Sequence, residues 1–414
     1  MLCVQPASDR SSPCNASKTL IQRRRRFRQA LTLGLALSVV LVCLVFAIGP
    51  SFVAKRFNSI SEAPLQPIDS ASQALHDSLQ VADLHADSLL WGRDLSQAAD
   101  YGHVDVPRLL KGNVALQVFT VVTKVPIPLL MEGNSDRTDN ITKLAILQRW
   151  PLPAWSSLIA RALYQAKQLK KLEGLASGEF QIIRTQQDLQ TYLSQREQNE
   201  PMTAGLLGLE GAQALEGKLR NVDRLYDAGF RMIGLAHFFD TDVSGSAHGL
   251  EQGGLTPFGK QVVERMANLN MVIDLAHASS QTIDDVLQLT TRPVIVSHTG
   301  VKGTCEGVRN LSDRQIQQIA ATGGIIGIGF WQTAVCGEDV DAIVQAIRYT
   351  ADQVGVEHVA LGSDFDGAVR VPFDVANLAQ ITQALQKAGF TETEIRQIMG
   401  LNVLNLLEQL LPNL

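Results

Sequence analysis

Eight short, nearly uninterrupted apolar runs recur between residues 81 and 367, each separated from the next by a longer stretch, several of helical pattern. They are VADLHAD (81–87), NVALQVFTVV (113–122), TAGLLGLEG (203–211), FRMIGLAHF (230–238), NMVIDLAHAS (270–279), PVIVSHTG (293–300), GGIIGIGFW (323–331) and HVALGSDFDG (358–367). A strand with one wet face alternates apolar and polar residues, whereas a continuous apolar run is buried on both faces, as parallel strands beneath helices are. Parallel pairing also demands long crossovers, usually helical. Eight such units predict an α/β fold, a (β/α)8 barrel of the TIM type.

The connections agree with this. GGLTPFGKQVVERMANLN (253–270) sets Val262, Val263, Met266 and Leu269 at helical spacing, and SDRQIQQIAATG (312–323) opens on Ser312 as an N-cap. Thr391 and Glu394 are spaced as a capping box at the start of a helix over 391–411. One connection is longer than a crossover needs: about eighty residues separate the second and third runs. Within this insertion (about 123–200), 154–175 and 186–198 read as helices and FQIIRT (180–185) as a small strand, forming a cap or outer layer.

Residues 1–56 have another character. RRRRFRQ (23–29) precedes ALTLGLALSVVLVCLVFAIG (30–49), twenty residues without a charge. As a helix they span about 30 Å, the thickness of a bilayer core. A cleaved signal peptide has a shorter apolar core, about 7–15 residues, so this segment reads as an uncleaved signal anchor. The excess of basic residues before it places the N-terminus in the cytoplasm. The chain then divides into a basic cytoplasmic segment (1–29), a transmembrane anchor (30–49), a linker (50–73) and a barrel (74–414) in a periplasm or extracellular space, with the bilayer as one partner.

Residues 57–414 carry 27 basic and 40 acidic residues, a net charge of −13. That sign argues against nucleic acid as a partner. Cys3 and Cys14 fall before the anchor and Cys43 within it, leaving Cys305 and Cys336 in the outer domain. A disulfide and two buried thiols both suit that pair.

Polar residues fall at the ends of the apolar runs: His85 and Asp87, Glu210, His237, His277, His298, and Asp364 with Asp366. In a barrel the C-terminal ends of the strands converge on one face. His85 and Asp87, two apart, share one side of their strand. Any one such residue has an ordinary structural use, but so many acids and imidazoles buried together need a cation. Nitrogen and oxygen donors without thiolate suit Zn²⁺ and tolerate Mn²⁺ or Co²⁺. The set exceeds the usual three protein ligands of one catalytic zinc, which points to two ions bridged by a carboxylate. His76, His103, His248 and His358 read as structural.

DLHAD, LLGLEG, MIGLAH, GLTPFGKQVV, VIDLAHAS, PVIVSHTG, RNLSD and LGSDFDG follow one another in the order found in the membrane dipeptidases, also called renal dipeptidases. From about residue 81 to 410 the chain resembles that family, least over 123–200. The resemblance implies a dinuclear zinc peptidase that cleaves dipeptides with a metal-bridging hydroxide. His85 and Asp87 would bind the first zinc, Glu210 would bridge, and His277 with His298 would hold the second. Asp364 would be the acid/base group, His237 would act at the reacting carbonyl, and Arg309 would grip the free C-terminal carboxylate of the substrate. A Cys305–Cys336 disulfide and a possible homodimer are implied in the same way.

Two departures stand near the mouth: Gln213, where many relatives have histidine, and FFDTDVSGSAHG after His237, which lacks the family's Asn-and-Trp pattern. Two other readings compete. A related amidohydrolase barrel would act on lactones, phosphoesters or β-lactams, but commonly begins with His-x-His and bridges its metals with a modified lysine. An inactive membrane-tethered scaffold would have no need to keep Asp364 beside a full ligand set.

Overall fold

The structure, a computed structural model, describes residues 13–198 and 201–413, the side chains of 13–21 excepted. Cys3, Cys14, Arg10 and Lys18 of the basic N-terminal segment lie outside the described side chains. Two units are present, Met1–Gly49 and Pro50–Leu414. The helix Pro13–Phe57 contains the one stretch among the described residues long and apolar enough to cross a membrane.

The second unit is a closed barrel of eight parallel strands: β1 (Val81–Ala86), β2 (Val114–Phe119), β3 (Thr203–Leu209), β4 (Phe230–Gly234), β5 (Val272–Asp274), β6 (Ile295–Thr299), β7 (Ile325–Ile328) and β8 (Val359–Leu361). Each pairs with its sequence neighbours, and the β8–β1 pairing, with Leu361 beside Asp83, closes the ring. Period-two alternation assigns successive residues to two faces. Leu84, Leu116, Leu206, Met232, Val272, Ile295, Ile325 and Ala360, one from every strand, share one cluster, which only the barrel interior brings together. Ile233, Ile273, Val296, Ile326 and Val359 join Val262, Val286, Ile316 and Ile347 of the surrounding helices in another.

Every strand is shorter than its apolar run, because apolarity records burial and not pairing. In the fifth run the strand ends at Asp274, yet Leu275 and Ala276 remain buried beneath the mouth. A small strand, Phe180–Ile182, pairs in parallel with Thr203–Gly205 of β3, ahead of the point where β3 meets β4 at Leu207.

Helix starts follow the caps. Ser312 with Gln315 and Thr391 with Glu394 form capping boxes, and Thr256 caps Pro257–Asn268. The expected continuous helix over 391–411 is instead Glu392–Arg396, a π turn at Gln397–Leu401, and Asn402–Leu410. Gly400 is the reason: a Cβ there would lie 1.8 Å from the Gln80 carbonyl oxygen, so the chain bends where it passes closest to β1.

The insertion is an outer layer. Its helix Leu158–Leu175 buries Ile159, Ala162, Leu169 and Leu172 in the cluster between strands and helices. The fully buried Arg161 ties the layer together, donating to the carbonyls of Ala154, Thr123 and Trp155, to Asp139 Oδ2 and to Thr142 Oγ1.

The segment 50–73, expected as a linker, is in part built into the barrel unit. Ala54 packs in a cluster with Leu90, Trp91 and Val122, and Ser59–Ile60 pairs in parallel with Arg370–Val371 in the loop after β8. Short apolar and polar residues of this kind carry no periodic signal, so composition alone reads them as tether.

Candidate metal centre

Of the polar residues at the run ends, only His85 and His298 lie within strands; Asp87, Glu210, His237, His277 and Asp364 sit one to three residues beyond them. His277 and Asp364 adopt left-handed backbone, φ +62° and +61°, a conformation that costs a non-glycine residue energy and is held by its surroundings. All seven converge. Glu210 Oε1 lies 3.0 Å from His277 Nε2, 3.4 Å from His298 Nε2 and 3.5 Å from His85 Nε2, and Glu210 Oε2 lies 3.3 Å from His237 Nε2. His85 Nε2 stands 3.6 Å from Asp87 Oδ1 and 3.9 Å from Asp364 Oδ1.

Three sets of donor atoms each fall within 4.8 Å of one another: His85, Glu210 and His298; Glu210, His237 and His277; His85, Asp87 and Asp364. The buried Nε2 of His85, among these atoms, has no hydrogen-bond partner among the described residues. Burial, and then Asp87, holds the Glu210 carboxyl well above its ordinary value, and burial pushes Asp364 up to about 8 against the pull of His85. Burial also holds His237, His277 and His298 well below theirs. His85 alone goes up, to about 10, because Glu210, Asp87 and Asp364 outweigh its burial. Such opposed shifts mark acids and imidazoles crowded out of water, and this donor set fits divalent cations.

A polar layer behind the donors orients them. Ser297 Oγ donates to Asp274 Oδ2 (2.7 Å) and lies 3.2 Å from His85 Nδ1 and 3.0 Å from His298 Nδ1. Thr120 Oγ1 donates to Asp87 Oδ1 (2.7 Å), and Asp83 accepts from the amide and hydroxyl of Ser363. Sequence reasoning passed over Asp83 and Asp274; their only signal is a carboxylate inside a buried apolar run, which must have a partner.

Asp366 does not join the cluster. Its carboxylate is taken by Arg93, by Ser88 Oγ and by the amides of His103 and Val104. His103 is structural as expected, its Nδ1 accepting from the Asp366 amide. His76 and His358 likewise bond to backbone carbonyls, of Gly112 and Gly324. His248 departs from expectation: it lines the same cavity as the donor cluster, its ring 5.1 Å from that of His277. Burial, then Arg309, pushes its imidazole down to about 4.

The cluster opens on a cavity of about 430 Å³, the scale of a small-molecule site. Arg309 reaches it from the loop after β6, Nη2 donating to the His298 carbonyl (2.6 Å) and Nε unpartnered among the described residues. Burial lowers the guanidinium to about 10. Its loop is tied to the loop after β7 by a Cys305–Cys336 disulfide, and the guanidinium lies 6.0 Å from the Trp331 ring. Gln213 stays outside the cavity lining and bonds to Thr123 Oγ1.

Comparison with known proteins agrees with this fold. A metallo peptidase from Rhodobacter sphaeroides, liganded with a phosphinate mimic of the dipeptide L-Ala-D-Ala, superposes with a TM-score of 0.68 at 24% identity, over 80% of this chain and 99% of that one. The probable dipeptidase PvdM from Pseudomonas aeruginosa gives a TM-score of 0.68 at 20% identity, over 82% and 97%. An uncharacterized dipeptidase of Schizosaccharomyces pombe is 27% identical over 316 residues, 73% of this chain and 72% of its own. Residues 70–411 match the family profile of the membrane dipeptidases, peptidase family M19, and the chain belongs to that family.

Proposed function

We propose that this chain is a membrane-anchored dinuclear zinc dipeptidase that hydrolyses dipeptides bearing a free C-terminal carboxylate. The observation that carries the reading is the Glu210 carboxylate, with four imidazole nitrogens within 3.5 Å of its oxygens. His85 and Asp87 would hold one ion, His277 and His298 the other, with Glu210 shared between them; Mn²⁺ or Co²⁺ would suit the same donors. Bound zinc supplies Lewis acidity, which makes water a nucleophile at neutral pH and polarises the scissile carbonyl.

The side chains do the rest. Asp364, which lines the cavity with Oδ1 3.9 Å from His85 Nε2, is placed to take a proton from the attacking water and pass it to the leaving amine. His237, kept neutral by burial, donates a hydrogen bond to the developing oxyanion. Arg309 offers a planar fork to a carboxylate, which restricts the substrate to a free C-terminus. The dipeptide mimic in the R. sphaeroides protein supports the same substrate class. The apolar segment 30–49 anchors the chain, and RRRRFR before it keeps the N-terminus cytoplasmic, so the barrel faces the periplasm or cell exterior.

The test is hydrolysis of a dipeptide panel by the full chain after chelation and again after zinc is restored. Cleavage that returns with zinc and spares C-terminal amides is the expected result. Zinc-independent cleavage, or equal turnover of amides, would overturn it.

A further inference from the structure

Arg309 enters the cavity from the loop after β6, and in a closed ring of eight strands the loop opposite is the one after β2. A dipeptide whose carboxylate meets Arg309 therefore directs its N-terminal residue toward the β2 side. That side has a composition of its own. Leu129, Leu130 and Met131 are three consecutive large apolar residues, each about half exposed (49%, 48% and 52%), and all three line the cavity. Single exposed apolar residues are common on any surface, but a contiguous apolar rim on a binding cavity marks what it contacts.

The rim is held in place. Asn134 closes its turn, accepting from the Leu130 amide (2.9 Å) and donating to the Leu130 carbonyl (2.7 Å). The Asn134 amide also donates to the His248 carbonyl (2.9 Å) in the loop after β4. His248 Nδ1 lies 2.7 Å from the Met131 carbonyl oxygen. A carbonyl only accepts, so Nδ1 carries the proton and Nε2 is a bare acceptor. That Nε2 is buried, without a partner among the described residues, in a side chain that lines the cavity. A bare acceptor repels a carboxylate and suits an ammonium group.

We infer that the β2 side of the mouth is the subsite for the substrate's N-terminal residue: Leu129, Leu130 and Met131 receive a bulky apolar side chain, and His248 Nε2 accepts a hydrogen bond from its ammonium group. This rests on the dipeptidase reading and adds a substrate preference that Arg309 cannot supply.

The test compares Leu-Gly, Gly-Leu and Gly-Gly on the zinc-loaded full chain. Wild type is expected to favour Leu-Gly, and Leu129→Ser with Leu130→Ser to lower kcat/KM for Leu-Gly about tenfold or more while sparing Gly-Gly and Gly-Leu. His248→Phe is expected to lower kcat/KM about tenfold on all three, since the ammonium is common to them, and His248→Gln, which keeps an acceptor, to restore most of it. Equal loss on all three dipeptides in the double variant, or full activity in His248→Phe, would overturn the subsite. No cleavage of any dipeptide by wild type would sink the dipeptidase reading itself; cleavage without preference for Leu-Gly would sink the subsite alone.

Discussion

Ser297 Oγ donates its single proton to Asp274 Oδ2, at 2.7 Å, and therefore can only accept from His85 Nδ1 and His298 Nδ1. Both imidazoles are thus held with Nδ1 protonated, which leaves Nε2, on the Glu210 side, as the nitrogen available to an ion. Ser297→Ala removes the common acceptor, and zinc affinity is expected to fall about 10–100-fold. The measurement is zinc retained by the full chain across a series of chelator buffers. Unchanged affinity would contradict the tautomer assignment.

Asp364→Asn removes the proposed proton carrier but leaves the donors of both proposed ions. The expected outcome is a kcat lower by about 10²–10⁴-fold with zinc content unchanged. Loss of zinc in parallel with activity would reassign Asp364 as a ligand.

The segment after the apolar helix supports the mouth. Asn58, buried, accepts from the Ala368 amide through Oδ1 (3.0 Å), and the amides of Ser59 and Ser61 bond to Val369 and Val371. Ala368 and Val369 line the cavity. Asn58→Ala is expected to cost about 1 kcal/mol in urea unfolding and to raise KM for dipeptides. A lower stability with KM unmoved would show the contact to be a clamp without influence on the site.

Burial holds the His76 pKa below its unfolded value of 6.5, and His103 is shifted the same way. Between the folded and unfolded values the unfolded chain binds more protons, so stability rises with pH across that window. It is complete above about 6.5 and lost as pH falls from there toward the folded pKa. His76→Gln keeps a donor for the Gly112 carbonyl and removes the titration. Urea unfolding from pH 8 to 5 should show a shallower decline in the variant; parallel curves would exclude His76 as a source of the acid sensitivity.

Much of the centre was legible because its residues interrupt apolar runs. His85, Glu210, His237, His277 and His298 each follow a stretch that only a buried strand explains. Asp364 and Asp366 show the limit of that signal. They are two residues apart, both with left-handed backbone at φ +61° and +60°, yet one faces the donor cluster and the other is consumed by Arg93 and His103. Nothing local separates them. The same holds for Ser297, whose role depends on Asp274 from one strand and His85 from another, and for His248, whose tautomer depends on the Met131 carbonyl.

What the sequence determined by itself was the order of strands, their burial on both faces and the residue types delivered to one end, since periodicity and apolar run length are local consequences of burial. Tertiary closure decided which polar group faces which. Partners such as His85 and Ser297, 212 residues apart, meet only when the eighth strand pairs with the first, and that proximity selects ligand, orienting group or structural ion pair from identical side chains.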